Sequence, residues 1–219
     1  MKIYDIQLFQ ELDESLKEEI NQCAKFVRFK KKNPLFCGDE LLHYFYIIIS
    51  GKMKTYQLNL SNAKEQTIFI LKSGDMIDTI TLLDAKPHDV IHEALEDIQM
   101  LQLPIEKVRN WIKNNKSFSQ KFFLYLASQM RHIEELATDI SLHNTSQRLI
   151  KLLLHNIDPE NKQEYNIIHG LSHSEIAKLT GTVRNVIERH LHQLKNEGII
   201  EINHRNLLIK NTQKLLEKL

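Results

Sequence analysis

The chain has 219 residues, 42% of them hydrophobic and 26% charged, with a formal net charge of +1; this is the composition of an ordinary soluble globular protein with room for two modest domains or one large one. No apolar run approaches the roughly 20 residues that a membrane span needs, and two cysteines, Cys23 and Cys37, cannot make a disulfide framework or a four-thiolate iron–sulfur cluster. The acidic, amphipathic start MKIYDIQLFQELDESLKEEI lacks the cationic opening and apolar stretch of a signal peptide, so the expected location is the cytoplasm, with no membrane contact.

Charge is distributed unevenly. From Asn144 onward there are eleven Lys and Arg against eight Asp and Glu, a balance of +3; the preceding part carries eighteen against twenty, a balance of −2. The tilt permits nucleic-acid binding by the C-terminal part without demanding it.

In chain order, residues from about Lys2 to Lys25 read as a helical lead-in, with Ile6, Leu8, Phe9, Leu12, Leu16 and Ile20 on one face. The texture then changes. From Phe26 to Pro104, short runs rich in Phe, Val, Tyr and Ile alternate with Asn-Pro, Gly-Asp and Ser-Gly breaks, which predicts a small barrel or sandwich. "EKVRNWIKNN" predicts a short helix and residues 116–141 a long one. Along the long helix Phe118, Phe122, Tyr125, Gln129, Ile133, Leu136 and Ile140 step by fours and threes, a heptad-like seam. A helix laying one stripe on its own domain would show the same spacing. The companion stripe Phe123, Leu126, Met130 and Ala137 favours a dimer seam, with one face on the barrel and the other on a partner chain.

"NTSQRLIKLLLHNI" starts a new helix after a cap or hinge at Asn144, which sets expected domains of 1–143 and 144–219. In "LSHSEIAKLTG", Ser172 and Glu175 have capping-box spacing, Ile176, Ala177 and Leu179 give an apolar face, and Gly181 ends the helix. "VRNVIERHLHQLKNEG" restarts with Val186, Ile187, Leu191 and Leu194 inward and stops at Gly198. Two helices joined by a short glycine-containing turn form a helix–turn–helix, and the alternating "IIEINHRNLLIK" adds a hairpin or wing. Arg184, Asn185, Glu188, Arg189 and His192 then fall on the exposed face of the second helix. The early turns of such a helix enter the major groove, where arginine can fork onto the O6 and N7 of guanine.

These segments resemble the Crp/Fnr family of bacterial transcription regulators over nearly the whole chain. The strongest match is "LSHSEIAKLTGTVRNVIERHLHQLKNEGII", where Glu175, Ile176, Gly181, Arg189, Leu191, Leu194 and Ile200 stand at the places of the family signature. "YIIISGKMKTYQL" and "LKSGDMI" are similar to its β-roll. The resemblance implies an α+β fold: a cyclic-nucleotide-binding-like β-roll, a long dimerisation helix, and a winged helix–turn–helix. It also places Arg184, Asn185 and Arg189 at base-reading positions; Ser172, Glu188, His192 and, in the wing, Arg205 complete the expected DNA-contacting set.

Departures from the family pattern are informative. Val183 and Val186 stand where hydroxyl residues are common, and Asn185 where glutamate is common. An amide suits adenine whereas a carboxylate suits cytosine, so a different base preference is expected there. In the roll, relatives that bind cyclic AMP carry Gly-Glu and then Arg-Ser; here Asp78-Thr79 and Asp89-Val90 stand instead. With Ile133 on the long helix, these form the expected effector pocket, and an aspartate facing a phosphate would repel it. Cyclic AMP is therefore not the expected effector, and the two cysteines exclude the iron–sulfur mode of the oxygen-sensing branch. Haem is the alternative cofactor, since some relatives sense nitric oxide or carbon monoxide through it; His43 or His88 with Met76 or His132 are the candidate ligands, and no motif supports them.

The histidine pairs His88/His92 and His169/His173 are expected at the surface. Enzyme signatures are missing: no phosphate-cradling glycine loop, no Gly-x-Ser-x-Gly and no His-Glu-x-x-His. The expectation is a homodimeric regulator, not an enzyme, that binds a near-palindromic double-stranded DNA site under effector control. RNA polymerase is the further partner an activator would need, with no segment marking the contact. The rivals are a haem-based gas sensor and a small-molecule-binding protein whose winged part mediates only protein contacts.

Overall fold

The computed structural model describes residues 9, 12–31, 35–36, 39–157, 168, 170–203 and 206–219. The chain divides into two compact units: Met1–Gln57 with Phe69–His132, and Leu58–Ile68 with Ile133–Leu219.

The first unit is entered by α1 (Glu14–Cys23), which starts where the Asp13 carboxylate accepts from Leu16 N at 2.8 Å and buries Leu16 and Ile20. The earlier part of the expected lead-in lies outside the described residues apart from Phe9 and Leu12, both buried. In chain order there follow β1 (Lys25–Phe29), α2 (Glu40–His43), β2 (Tyr44–Ser50), β3 (Met53–Asn59), β4 (Lys64–Leu71), β5 (Met76–Ile77), α3 (Thr79–Asp84), β6 (Ile91–Ala94) and β7 (Ile98–Pro104); the end of β3 and most of β4 fall in Leu58–Ile68, counted with the second unit. They form a four-stranded sheet in the order β1-β7-β2-β5 and a three-stranded sheet in the order β4-β3-β6.

Strand β2, "YFYIIIS", shows why the run is apolar throughout: it lies between β7 and β5, and residues 45–49 are all buried. Its alternate side chains serve two clusters. Phe45, Ile47 and Ile49 join Leu101 and Leu103 against the helices, while Tyr46 and Ile48 join Met53, Ile77 and Met100 on the other face.

After β7 come α4 (Ile105–Asn114) and the 27-residue α5 (Lys116–Leu142). Phe118 and Phe122, expected at the start of a partner-facing seam, are fully buried within the chain itself. They pack with Val108 and Trp111 in the cluster fed by β2 and β7. Tyr125 and Leu126 pack against the same cluster, and Gln129 and Leu136 are half-buried. The large exposed apolar side chains of α5 are Phe123, Leu124, Met130, Ile133, Ile140 and Leu142, and Ala137 is exposed as well. Aromatic rings one turn apart follow the larger core, and α5 turns that stripe toward Trp111, at 5.8 Å from Phe118.

In the second unit, α6 (Thr145–His155) opens with a capping box: Asn144 Oδ1 accepts from Gln147 N and Asn144 N donates to Gln147 Oε1, both at 3.1 Å. Lys151 pairs with Asp139 across the α5–α6 junction. Arg148 Nη1 donates to the Ile140 and His143 carbonyls, supplying the positive charge that the C-terminal end of a helix favours. There follow α7 (His173–Leu179), α8 (Arg184–Asn196), an antiparallel wing of β8 (Ile200–Asn203) and β9 (Asn206–Ile209), and α9 (Thr212–Leu216). Leu149, Leu153, Ile176, Ile187, Leu191 and Leu207 are among the residues of its core.

Candidate nucleic-acid interface

Two local signals build the helix pair. Ser172 caps α7: its Oγ accepts from Glu175 N at 3.2 Å, and its hydroxyl donates to the Glu175 carboxylate. Gly181, at φ +67°, closes α7 with a Schellman arrangement in which Thr182 N donates to Ala177 O at 2.9 Å. Gly198 repeats the device at the end of α8, with φ +68° and Ile199 N donating to Leu194 O at 3.0 Å. Both glycines stand in left-handed backbone that a β-carbon would strain.

Between these stops, α8 buries Ile187, Leu191 and Leu194 on one stripe. Arg184, Asn185, Arg189 and His192 are exposed on the other side, and Glu188 is half-exposed among them. The Arg184 side chain is 67% exposed although its Nε donates to Glu188 Oε1 at 2.7 Å. His173 Nδ1, from the first residue of α7, lies 3.3 Å from the same oxygen. Arg184, then His173, hold the Glu188 carboxyl below the usual carboxylate range. Arg189 enters no ion pair among the described residues. The Asn196 amide lies 3.1 Å from His192 Nδ1.

Beside this face is a cavity of about 340 Å³, with Ser172, His173 and Arg184 on its polar rim and Ile176, Ile202 and Leu207 on its apolar wall. Arg205 lies outside the described residues, as do His169 and Cys37. The sequence does not mark His173 as a site residue. The four-residue spacing of Arg184 and Glu188 is visible in the sequence, but only the packing of α7 on α8 brings the imidazole to that carboxylate.

In the first unit, Asp78 has φ +51° and caps α3 with a side chain only 2% exposed. Its carboxylate accepts from Thr81 Oγ1 at 2.6 Å and lies 2.9 Å from His88 Nδ1. Thr79 is the first residue of α3; Asp89 is exposed and its carbonyl accepts from Gln57 Nε2 at 3.3 Å. Val90 N donates to His88 O at 2.9 Å, while Ile133 belongs to the second unit. Arg109 donates to the Thr81 and Leu82 carbonyls, so α3 has an anion at its start and a cation at its end.

Of the candidate haem ligands, His88 is engaged with Asp78, Met76 is buried, and His132 stacks on Phe69 at 5.0 Å. His92, expected at the surface, is buried; its Nδ1 is 3.0 Å from Thr55 Oγ1, because the strand register places it opposite Thr55. Among the described residues no group of three or more His, Cys, Asp or Glu could hold a metal ion, and no helix is long and apolar enough to cross a membrane.

A capped helix, a glycine stop, a second helix with guanidinium groups outward, and a two-stranded wing define a winged helix–turn–helix DNA-binding protein. The cyclic nucleotide-binding domain family matches residues 26–115 and the Crp-like helix-turn-helix domain family matches residues 147–218. The chain is 23% identical over 214 residues to the CRP-like cAMP-activated global transcriptional regulator of Mycobacterium tuberculosis, covering 96% of this chain and 95% of that one. FixK2 from Bradyrhizobium japonicum is similar in structure, with a TM-score of 0.75 at 21% identity over 89% of this chain and 96% of that one. A CooA mutant from Carboxydothermus hydrogenoformans also has a TM-score of 0.75, at 26% identity over 94% and 90%. The chain belongs to the Crp/Fnr family: it is a DNA-binding transcription regulator with an effector-binding domain.

Proposed function

We propose that the protein acts as a homodimer that binds a near-palindromic DNA site sequence-specifically, under the control of an effector other than cyclic AMP. The observation that carries the reading is the face of α8, where Arg184, Asn185 and Arg189 are exposed at the start of a helix whose opposite stripe is locked into the core. Each copy sets α8 into the major groove of one half-site. Two-fold symmetry then spaces the half-sites by about 34 Å, one turn of duplex. The exposed apolar stripe of α5 supports pairing of two copies.

The residues expected around the effector do not suit a cyclic phosphate. A buried Asp78 carboxylate already occupies the start of α3, and the exposed Asp89 adds a second anion. An uncharged or cationic effector fits this electrostatics better. Its binding shifts the population of helix arrangements at the α5–α6 junction, where the Lys151–Asp139 pair and the Asn144 cap define two discrete contacts to keep or lose. A role as activator would add a contact with RNA polymerase.

Binding of labelled duplex, followed by fluorescence anisotropy across a salt series, tests the core of this reading. Phosphate contacts give log affinity a steep negative slope in log salt, and the double variant Arg184→Ala/Arg189→Ala loses sequence preference and flattens the slope. Affinity independent of salt and of both arginines overturns it.

A further inference from the structure

Glu188 puts a carboxylate in the middle of the surface that must meet a polyanion. On electrostatics alone it weakens binding to every duplex, because binding gains from each neutralised phosphate and loses to each surface anion. Its contacts give it a different use. Oε1 receives Arg184 Nε at 2.7 Å, while His173 Nδ1 stands 3.3 Å away on the same atom. Nε is the inner nitrogen of the guanidinium, so this pairing leaves the two terminal nitrogens, the fork that matches guanine O6 and N7.

A solvated arginine has wide rotamer freedom and reaches phosphate as easily as a base edge. Here that freedom is reduced by a partner one helical turn away on the same helix, which a residue of the neighbouring helix contacts in turn. The first residue of α7 and the first of α8 are thereby tied to one oxygen. The contact is exposed and contributes little to folding; what it sets in the structure is that Nε faces Glu188 along α8.

We infer that Glu188 is a positioning residue for base recognition: through Nε it directs the Arg184 fork to the guanine of one G·C pair, raising sequence preference while lowering affinity for unrelated duplex, with His173 bracing the carboxylate. This rests on the DNA-binding reading above and adds to it a division of labour within the exposed face. Arg184 touches the base and Glu188 acts through Arg184.

The test begins with selection of a site from a randomised duplex library by the full-length wild-type protein, followed by anisotropy on the selected duplex and on versions changed at each base pair. Glu188→Ala is expected to bind unrelated duplex as tightly as wild type or more tightly, with a steeper salt dependence, and to lose roughly tenfold or more of the G·C preference at one pair. Glu188→Gln keeps an acceptor oxygen and retains most of that preference. Arg184→Ala loses the same preference, and Glu188→Ala then changes nothing further at that pair, the non-additivity expected of a residue acting through another. The inference is overturned if Glu188→Ala keeps the full preference at every pair, or if it lowers preference by the same factor with and without Arg184. If the wild-type protein enriches no sequence, the DNA-recognition reading falls and takes the inference with it. An enriched site that Glu188→Ala reads unchanged removes the inference alone.

Discussion

Tyr125 Oη both accepts from Met76 N at 3.0 Å and donates to Met76 O at 3.1 Å, so one phenol on α5 satisfies both backbone groups of a β5 residue. Burial, then the nearby Asp75 carboxylate, pushes the phenol well above its usual range, so the hydroxyl stays protonated and available to both groups. Tyr125→Phe keeps the ring and removes both bonds. The expected loss is about 1–3 kcal/mol of stability, the cost of leaving buried polar groups without partners, read as a lower urea midpoint at unchanged slope. An unchanged midpoint would show that water replaces the phenol without cost.

The two apolar faces of α5 separate in the same kind of experiment. Phe123, Met130, Ile133 and Ile140 are exposed and spaced by seven, three and seven, the a/d rhythm of paired helices. Phe123 is 53% and Met130 61% exposed. Phe123→Glu/Met130→Glu is expected to give a monomer by light scattering, with weakened DNA binding and little change in secondary structure. Phe122→Ala, inside the core, should instead cost about 3–5 kcal/mol in folding. A double variant that remains dimeric would place the interface elsewhere.

His92 gives the first unit a pH dependence whose sign can be worked out. Burial, opposed by Asp78 and reinforced by His88, lowers its pKa to about 4 from an ordinary 6.5. Thr55 Oγ1 faces Nδ1, the Phe36 ring packs edge-on at 5.4 Å, and Nε2 finds no partner among the described residues. The folded state therefore holds the imidazole neutral. Its contribution is complete above pH 6.5 and is lost as pH falls toward 4, because the unfolded chain takes up the proton first. The total is on the order of 3 kcal/mol. His92→Gln cannot titrate, so its urea midpoint should fall less than that of wild type between pH 7 and 4.5. Parallel profiles would rule this out.

What could be read from the sequence alone follows the range of the interaction responsible. The Asn144 and Ser172 caps and the Gly181 stop are decided within four residues, and each stands where the spacing predicts it. The stripe on α5 is different. Periodicity shows that Phe118, Phe122 and Tyr125 share a face, but which body they meet depends on Trp111 and on strand residues distant in sequence. The sequence shows Asp78 as an acidic residue at an expected effector position, whereas its left-handed backbone and its contact with His88 appear only once the loop closes. His173 meets Glu188 fifteen positions away, across a turn that has to form first.

Asn185 offers the sharpest prediction about base identity. It is exposed next to Arg184 in the first turn of α8, the part of such a helix that reaches base edges. An amide can donate to N7 and accept from the N6 amino group of adenine, whereas a carboxylate only accepts and so suits cytosine N4–H. Asn185→Glu is therefore expected to move the preference at one pair of each half-site from A·T to C·G, by about 1–3 kcal/mol, without disturbing the pair read by Arg184. It also adds an anion to the surface, so affinity for every duplex should fall together and the salt slope should shrink. Competition between two duplexes differing only at that pair separates the two effects, because the general electrostatic loss cancels in the ratio. A ratio that stays on A·T after the substitution would mean that Asn185 faces the backbone and that the first turn reads bases through Arg184 without it.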